Sequence, residues 1–128
     1  MSATCRVGCD LMGVADVRAS MARFGGRYLR RVYTDHEVAS CGAGAPGLAA
    51  RFAAKEATVK ILRAADEPLP WPSIEVRRSA VGWCELVLSG RAAELADEQG
   101  LRDFDVSLSH EADYAMAVVH AQVEVVSR

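Results

Sequence analysis

A chain of 128 residues, 51% hydrophobic and 25% charged, is the size of one domain, taken as 1–128, and this composition excludes a disordered tail or a fibrous repeat. The net charge of −2 argues against a general nucleic-acid binder, which usually carries a basic excess. Charges interrupt every stretch before the roughly 18 apolar residues of a membrane span, and the opening MSATCRVGCDLM lacks the regions of a signal peptide, so a cytoplasmic protein with no membrane partner is expected.

The chain opens on a short strand, Arg6 to Leu11, broken by Gly8. Val14, Val17, Met21, Tyr28 and Val32 then mark a helix over 14–32 that Gly25 and Gly26 should interrupt. Thr34-Asp35-His36-Glu37 reads as a capping box: the threonine accepts from the Glu37 amide while the glutamate reaches back. A short helix follows to about Cys41, and CGAGAPG is a loop on composition. A longer helix runs from Leu48 to Ala64, ended by Pro68, Pro70 and Pro72, which impose an extended connection around Trp71. Ile74 to Ser79 and Cys84 to Ser89 form a hairpin turning near Gly82, and Arg91 to Gln99 is a helix stopped by Gly100. Phe104, Val106 and Leu108 alternate with Asp105, Ser107 and Ser109 as a half-buried strand, and a Val- and Ala-rich strand from Tyr114 to Val126 closes the chain. Helices interleaved with hairpin-type strands predict an α+β fold, an antiparallel sheet packed against a long buried helix.

Of 15 basic side chains 13 are arginines, and both lysines, Lys55 and Lys60, fall in KEATVK. Two ammonium groups so close in a lysine-poor chain point either to a site wanting a compact charge or to chance. On the long helix, Leu48, Phe52, Val59 and Leu62 make one apolar stripe, and Ala50, Ala53, Ala57 and Ile61 line the other side, as in a helix buried between layers. Glu56 and Lys60 share the flank between the stripes, and Lys55 projects close to the Phe52/Val59 stripe. Glu56 and Lys60 are therefore either a surface ion pair or a Mg²⁺ carboxylate beside an ammonium for a phosphate. Mg²⁺ often takes a second carboxylate, and Asp10, at the end of the first strand, can deliver one to a cleft or simply serve as a turn residue. Ser107, Ser109 and His110 either bind a phosphate or cap a turn.

His36 and His120 have no ligand-like neighbours. No G-x-S-x-G elbow or P-loop is present. Cys5, Cys9, Cys41 and Cys84 lack zinc spacing and read as free thiols. Arg18, Arg23, Arg27, Arg30 and Arg31, with no acid among them, make either a solvated face or a dock for an acidic partner.

G-x-D near the N-terminus, R-F-A-A-K-E-A-x-x-K mid-chain and S-L-S-H near the C-terminus resemble, in this order, the bacterial holo-acyl-carrier-protein synthases, the short 4′-phosphopantetheinyl transferases. The resemblance runs from Val7 to about Val125, and T-x-x-E at Thr34–Glu37 and D-Y-A-x-A-V-V at Asp113–Val119 fit it too. It implies the phosphopantetheinyl transferase fold. The implied reaction moves 4′-phosphopantetheine from coenzyme A to a serine of an apo acyl carrier protein, of fatty-acid or polyketide type, and releases adenosine 3′,5′-bisphosphate. By position, Asp10 and Glu56 match the Mg²⁺ carboxylates, with Glu56 also accepting the serine proton, and Lys60 matches the lysine at the pyrophosphate. Arg51 lies in the matching helix, and Ser109 and His110 match the strand end holding the 3′-phosphate of coenzyme A. The resemblance further implies a homotrimer with sites between subunits, and a carrier dock on the basic helix at Arg18, Arg23 and Arg27.

This chain departs from the family where D-L-[VI]-E-I-x-R is usual, with Gly13 in place of the glutamate and Asp16 in place of the carrier-facing arginine. It also reads Gly82-Trp83-Cys84 where G-x-P is common, so the resemblance implies a different wall on the adenine side of coenzyme A. These departures bear on which carrier is served. They keep open a non-catalytic transferase-like protein that binds an acidic carrier or biosynthetic partner, against which the intact Asp10, Glu56, Lys60 and His110 argue.

Overall fold

A computed structural model describes residues 4–42, 44–64 and 66–124. The chain runs β1 (Thr4–Gly13), α1 (Val14–Phe24), α2 (Gly26–Val32), α3 (Asp35–Cys41), α4 (Ala45–Leu62), a 3-10 turn (Trp71–Ser73), β2 (Ile74–Arg78), β3 (Cys84–Leu88), α5 (Gly90–Glu98), β4 (Leu101–His110) and β5 (Tyr114–Val123). β5 lies between β1 and β4 in a three-stranded antiparallel sheet, and β2 and β3 form a separate antiparallel hairpin. The expected α+β class, with antiparallel strands around a long buried helix, is thus observed. No helix among the described residues is long and apolar enough to cross a membrane.

α4 crosses β1 and β5. Its sheet-facing side is made of small residues: Ala49, Ala50, Ala53, Ala54 and Ala57 are fully buried. Alanine keeps the helix favourable while letting its backbone come close to the strands. The approach is tightest at Gly8, where a Cβ would fall inside contact distance of the Ala57 carbonyl oxygen and 3.1 Å from Ile61 Cγ1. β1 can rest on α4 only because that side chain is missing. Larger anchors on the same helix, Leu48, Ile61 and Leu62, are also buried, each contributing about 1.5–3 kcal/mol. β5 turns Ala115, Ala117, Val119 and Ala121 toward α4, by the period-2 alternation of a strand. Val7, Leu11, Met116 and Val118 are left exposed on the opposite face, with Leu11 directly across from Met116.

Several boundaries differ from the sequence expectation. β1 exceeds Arg6 to Leu11 at both ends because it pairs with β5 along its whole length. α4 begins at Ala45 rather than Leu48: Pro46 lies in the first turn, where a missing N–H costs nothing. Part of the expected CGAGAPG loop is therefore helix. The helix ends at Leu62 rather than Ala64, with Arg63 in the left-handed region at φ 53°. Trp71 sits in a 3-10 turn rather than an extended connection. The interruption at Gly25 and the two bonds of the Thr34–Glu37 capping box are as expected. The expected end of the last strand, at 125 and 126, and the end of the resemblance at Val125 lie outside the described residues.

Candidate active site

β1 directs its even-numbered side chains toward α4, so Asp10 follows Gly8 onto the helix-facing side. Lys60 reaches across from α4: its Nζ donates to the Cys9 carbonyl at 2.8 Å and to Asp10 Oδ1 at 3.3 Å. The Asp10 side chain is 15% exposed and that of Lys60 59%. Asp10 Oδ2 is buried with no partner among the described residues, a deficit that typically costs about 1–3 kcal/mol. Burial, and then the adjacent Asp10 carboxylate, push Glu56 up to about 7, against the pull of Lys60. Of the two readings of Glu56 with Lys60, the i,i+4 ion pair is not formed among the described residues; Lys60 turns to Asp10 instead.

Two carboxylates crowded together, one with an orphaned oxygen, make a poor resting arrangement and a good receptor for a cation. Their donors are hard oxygens, which suit Mg²⁺, an ion that takes one or two carboxylates and leaves the rest of its shell to water and substrate phosphates. Among the described residues no group of three or more His, Cys, Asp or Glu side chains forms a closed metal cage, which fits an ion shared with substrate.

Lys55 lies elsewhere and corrects the idea that both lysines serve one site. It is fully buried, and its Nζ donates to Glu37 Oε1 at 2.8 Å, the Trp71 carbonyl at 3.1 Å and the Ile74 carbonyl at 2.5 Å. Glu37, also fully buried, accepts from Thr34 N at 2.9 Å and Val76 N at 3.0 Å. Burial lowers the Lys55 pKa while Glu37 raises it. The cluster fastens α3, α4 and β2 together.

A cleft of about 320 Å³ opens against β3 and β4, lined by Arg51, Arg78, Trp83, Ser107, Leu108 and His110 among others. With β5 between β1 and β4, it lies across the sheet from Asp10. Arg51 is only 5% exposed; its Nη1 donates to the Gly47 carbonyl at 3.1 Å, and its Nε is buried without a partner among the described residues. A guanidinium fixed with an N–H to spare suits an anion. His110 joins it, as does Ser107. Ser109, expected beside His110, is exposed opposite Met116 and does not line the cleft. Arg78 was not anticipated: it belongs to no motif, and its only signal is its place beside a turn. A larger cavity, about 610 Å³, lies between Arg31, Val59 and the Pro68–Pro72 segment and is mostly apolar.

Arg18, Arg23 and Arg27 are all exposed on α1 and α2. The guanidinium of Arg23 lies 5.2 Å from the ring centre of the exposed Phe24. Asp16, the acid of this surface, folds back over Gly13, where a Cβ would stand 2.9 Å from its Oδ2.

The model of the 4′-phosphopantetheinyl transferase superfamily matches residues 6–119, and the chain belongs to that family. Its relatives there are holo-[acyl-carrier-protein] synthases. One from Gloeobacter violaceus is 39% identical over 118 residues, covering 89% of each chain. Another from Chloroflexus aurantiacus is 42% identical over 130 residues, covering 89% of this chain and 95% of the relative. Among solved structures, the Chronobacterium ammoniagenes ACPS–CoA complex matches with a TM-score of 0.82 at 28% identity, over 95% of this chain and 99% of that one. The Helicobacter pylori holo-[acyl-carrier-protein] synthase in complex with coenzyme A gives 0.80 at 28% identity, over 91% and 99%. The protein is accordingly a transferase of the holo-[acyl-carrier-protein] synthase kind.

Proposed function

We propose that this enzyme transfers 4′-phosphopantetheine from coenzyme A to a serine hydroxyl of an apo acyl carrier protein in a Mg²⁺-dependent reaction, releasing adenosine 3′,5′-bisphosphate. The observation that carries this reading is the convergence of Asp10, Glu56 and Lys60, with Asp10 Oδ2 buried and unpartnered. Asp10 and Glu56 would hold the ion, which when bound neutralises charge on the pyrophosphate. In the reaction the serine Oγ–phosphorus bond forms and the bond from phosphorus to the bridging oxygen of adenosine 3′,5′-bisphosphate breaks. Glu56 takes the serine proton as general base. Lys60, anchored by the Cys9 carbonyl, offsets charge on the leaving phosphate. Arg51 and His110 hold the 3′-phosphate, and most of the acceleration comes from orientation and charge neutralisation.

The chain acts as one transferase domain over 1–128, in the cytoplasm, as a homotrimer. The exposed apolar face around Val7, Leu11, Met116 and Val118 supports assembly. So does the separation of the carboxylates from the Arg51–His110 cleft by β5 and α4. One coenzyme A is then served by the carboxylates of one protomer and the cleft of another. Arg18, Arg23 and Arg27 steer the acidic carrier, of fatty-acid or polyketide type, toward Glu56. The test is intact-mass spectrometry of a panel of apo carriers incubated with the protein, coenzyme A and Mg²⁺. A gain of one phosphopantetheine, abolished by EDTA and by Glu56→Ala, is expected. Binding of a carrier without any gain in mass would overturn this reading.

A further inference from the structure

The four cysteines fall into two pairs. Cys5 and Cys9 are exposed on β1, opposite the uncharged Gln122 and Val118 of β5. Cys41 and Cys84 are half-buried and stand near Arg51. Cys41 ends α3, and a Cβ at Gly47 would meet its Sγ at 3.1 Å and Arg51 Nη1 at 3.7 Å, so thiol and guanidinium crowd one point. Cys84 opens β3 and packs, like Leu86, against Ala53, Ala54, Val76 and Ala117. It also lines the cleft that holds Arg51, Arg78 and His110.

Two guanidiniums share that cleft with the Cys84 thiol, and no carboxylate among the described residues lines it. Arg78 is the residue directly opposite Cys84 in the hairpin, so the two side chains leave the same face. Arg51 is 5% exposed, and its Nε is buried without a partner among the described residues. Guanidiniums so placed gather an anionic ligand and pair with its carboxylates. Cys41 is the poorer nucleophile: burial pushes its thiol up, against the pull of Arg51, and a protonated sulfur does not attack. We infer that Cys84 is a site of reversible S-thiolation by small carboxylate-bearing disulfides, whose carboxylates Arg51 and Arg78 receive. Directly opposed residues of an antiparallel pair stand about 4.5–5.5 Å apart at Cα, so charge and sulfur in the ligand must be only a few bonds apart. A cysteine- or glutathione-type disulfide meets that condition. The disulfide of coenzyme A, with its sulfur far from its phosphates, does not.

In the step, Cys84 gives its proton to solvent and its sulfur attacks one sulfur of the disulfide. The bond from Cys84 to that sulfur forms as the original S–S bond breaks, and the other half leaves as a thiolate that takes up a proton. Cys84 is oxidised and the departing half reduced, so the disulfide is the only oxidant needed. A second thiol reverses the exchange. The adduct occupies the cleft beside Arg51 and His110, and thiolation therefore shuts off carrier modification until it is reduced. That consequence rests on the reaction proposed above; the modification itself does not.

The experiment incubates the full, reduced chain with glutathione disulfide, bis(2-hydroxyethyl) disulfide or cystamine, which are anionic, neutral and cationic. Adducts are located by intact mass and peptide mapping, and each rate is divided by that of the same disulfide with a free model thiol. Glutathione disulfide is expected to modify Cys84 first, at least about tenfold faster than cystamine on that scale, with an advantage that shrinks in high salt. Arg78→Gln should erode this preference and leave cystamine no slower. In the carrier assay each chain is compared with its own untreated rate. The parent should lose activity in step with Cys84 occupancy and regain it with dithiothreitol, while treated Cys84→Ser and Cys84→Ala should lose none. First modification at Cys5 or Cys9, or equal relative rates for the three disulfides, would overturn the inference. So would the loss of two hydrogens with no adduct, which would join Cys41 to Cys84 instead. A Cys84 adduct with unaltered carrier modification removes the shut-off. An adduct on a chain that modifies no carrier before treatment keeps the site and removes the transfer reaction.

Discussion

One turn apart on α4 sit two lysines with opposite surroundings. Around Lys55 every polar group is answered: the ammonium donates three times, and both Glu37 carboxylate oxygens accept. Around Lys60 the accounting is open, with Asp10 Oδ2 unpartnered and Glu56 held near neutrality by burial and by its neighbour. A buried ion pair is tolerable only when its hydrogen bonds are complete, so the first cluster is finished and can do no more than hold the fold. The second is tolerable because it borders solvent, and under the proposed reaction it would be completed by a cation and phosphates. Depth of burial alone does not mark the proposed chemistry in this helix: Lys55 and Arg51 are both buried, and Arg51 is the one with an N–H left unpartnered among the described residues. Incomplete satisfaction points toward that chemistry.

The contrast can be broken in four ways. The largest effect is expected from Glu56→Gln, which should lower turnover about 10²–10⁴-fold without loss of fold, because it removes repulsion from Asp10; a steady-state assay beside a urea curve checks both halves. Next, Lys55→Met should cost about 3–5 kcal/mol by stranding Glu37 in the core. Lys60→Met should cost under about 1 kcal/mol, as an exposed pair does, while still damaging turnover. Equal urea midpoints for the two variants would erase the distinction between the clusters. Third, Mg²⁺ should raise the melting temperature, by about 2.7 kcal/mol of stability at a hundredfold excess over Kd, and should fail to do so in Asp10→Asn.

The smallest effect concerns pH in EDTA. Glu56 has a folded pKa of about 7, above its ordinary carboxylate value. Between those two values the folded state binds more protons than the unfolded one, so this group's contribution makes stability fall as pH rises through the window. Chemical denaturation at several pH values should show that slope in the parent chain and lose it in Glu56→Gln.

Local patterns were legible in the sequence, and contacts over distance were not. The Thr34–Glu37 box spans four residues and forms as read, yet its glutamate proves to be a core residue, because its partners Lys55 and Val76 lie 18 and 39 positions away. α4 was legible from its apolar spacing, but its first turn was hidden by Pro46 and Gly47, which look like loop and act as a helix start. Helical spacing alone would pair Lys60 with Glu56. Its actual partner, Asp10, is 50 positions distant; metal chemistry offered Asp10 as one of two readings, and the family resemblance placed it at the site. Arg51 and His110 were anticipated the same way. Arg78 joins them only because a hairpin folds beside α4, and no spacing rule encodes that.

The side chain missing at Gly8 sets a gauge. β1 rests on the Ala57 carbonyl and the Ile61 side chain, so the separation of strand from helix is fixed by hard contact in a close-packed interior. Under the proposed metal role, that separation is also the one between Asp10 and Glu56. Cations differ in the opening they require: oxygen ligands lie at about 2.0–2.1 Å from Mg²⁺ and about 2.3–2.6 Å from Ca²⁺. A methyl group at position 8 would wedge the carboxylates apart and shift preference toward the larger ion.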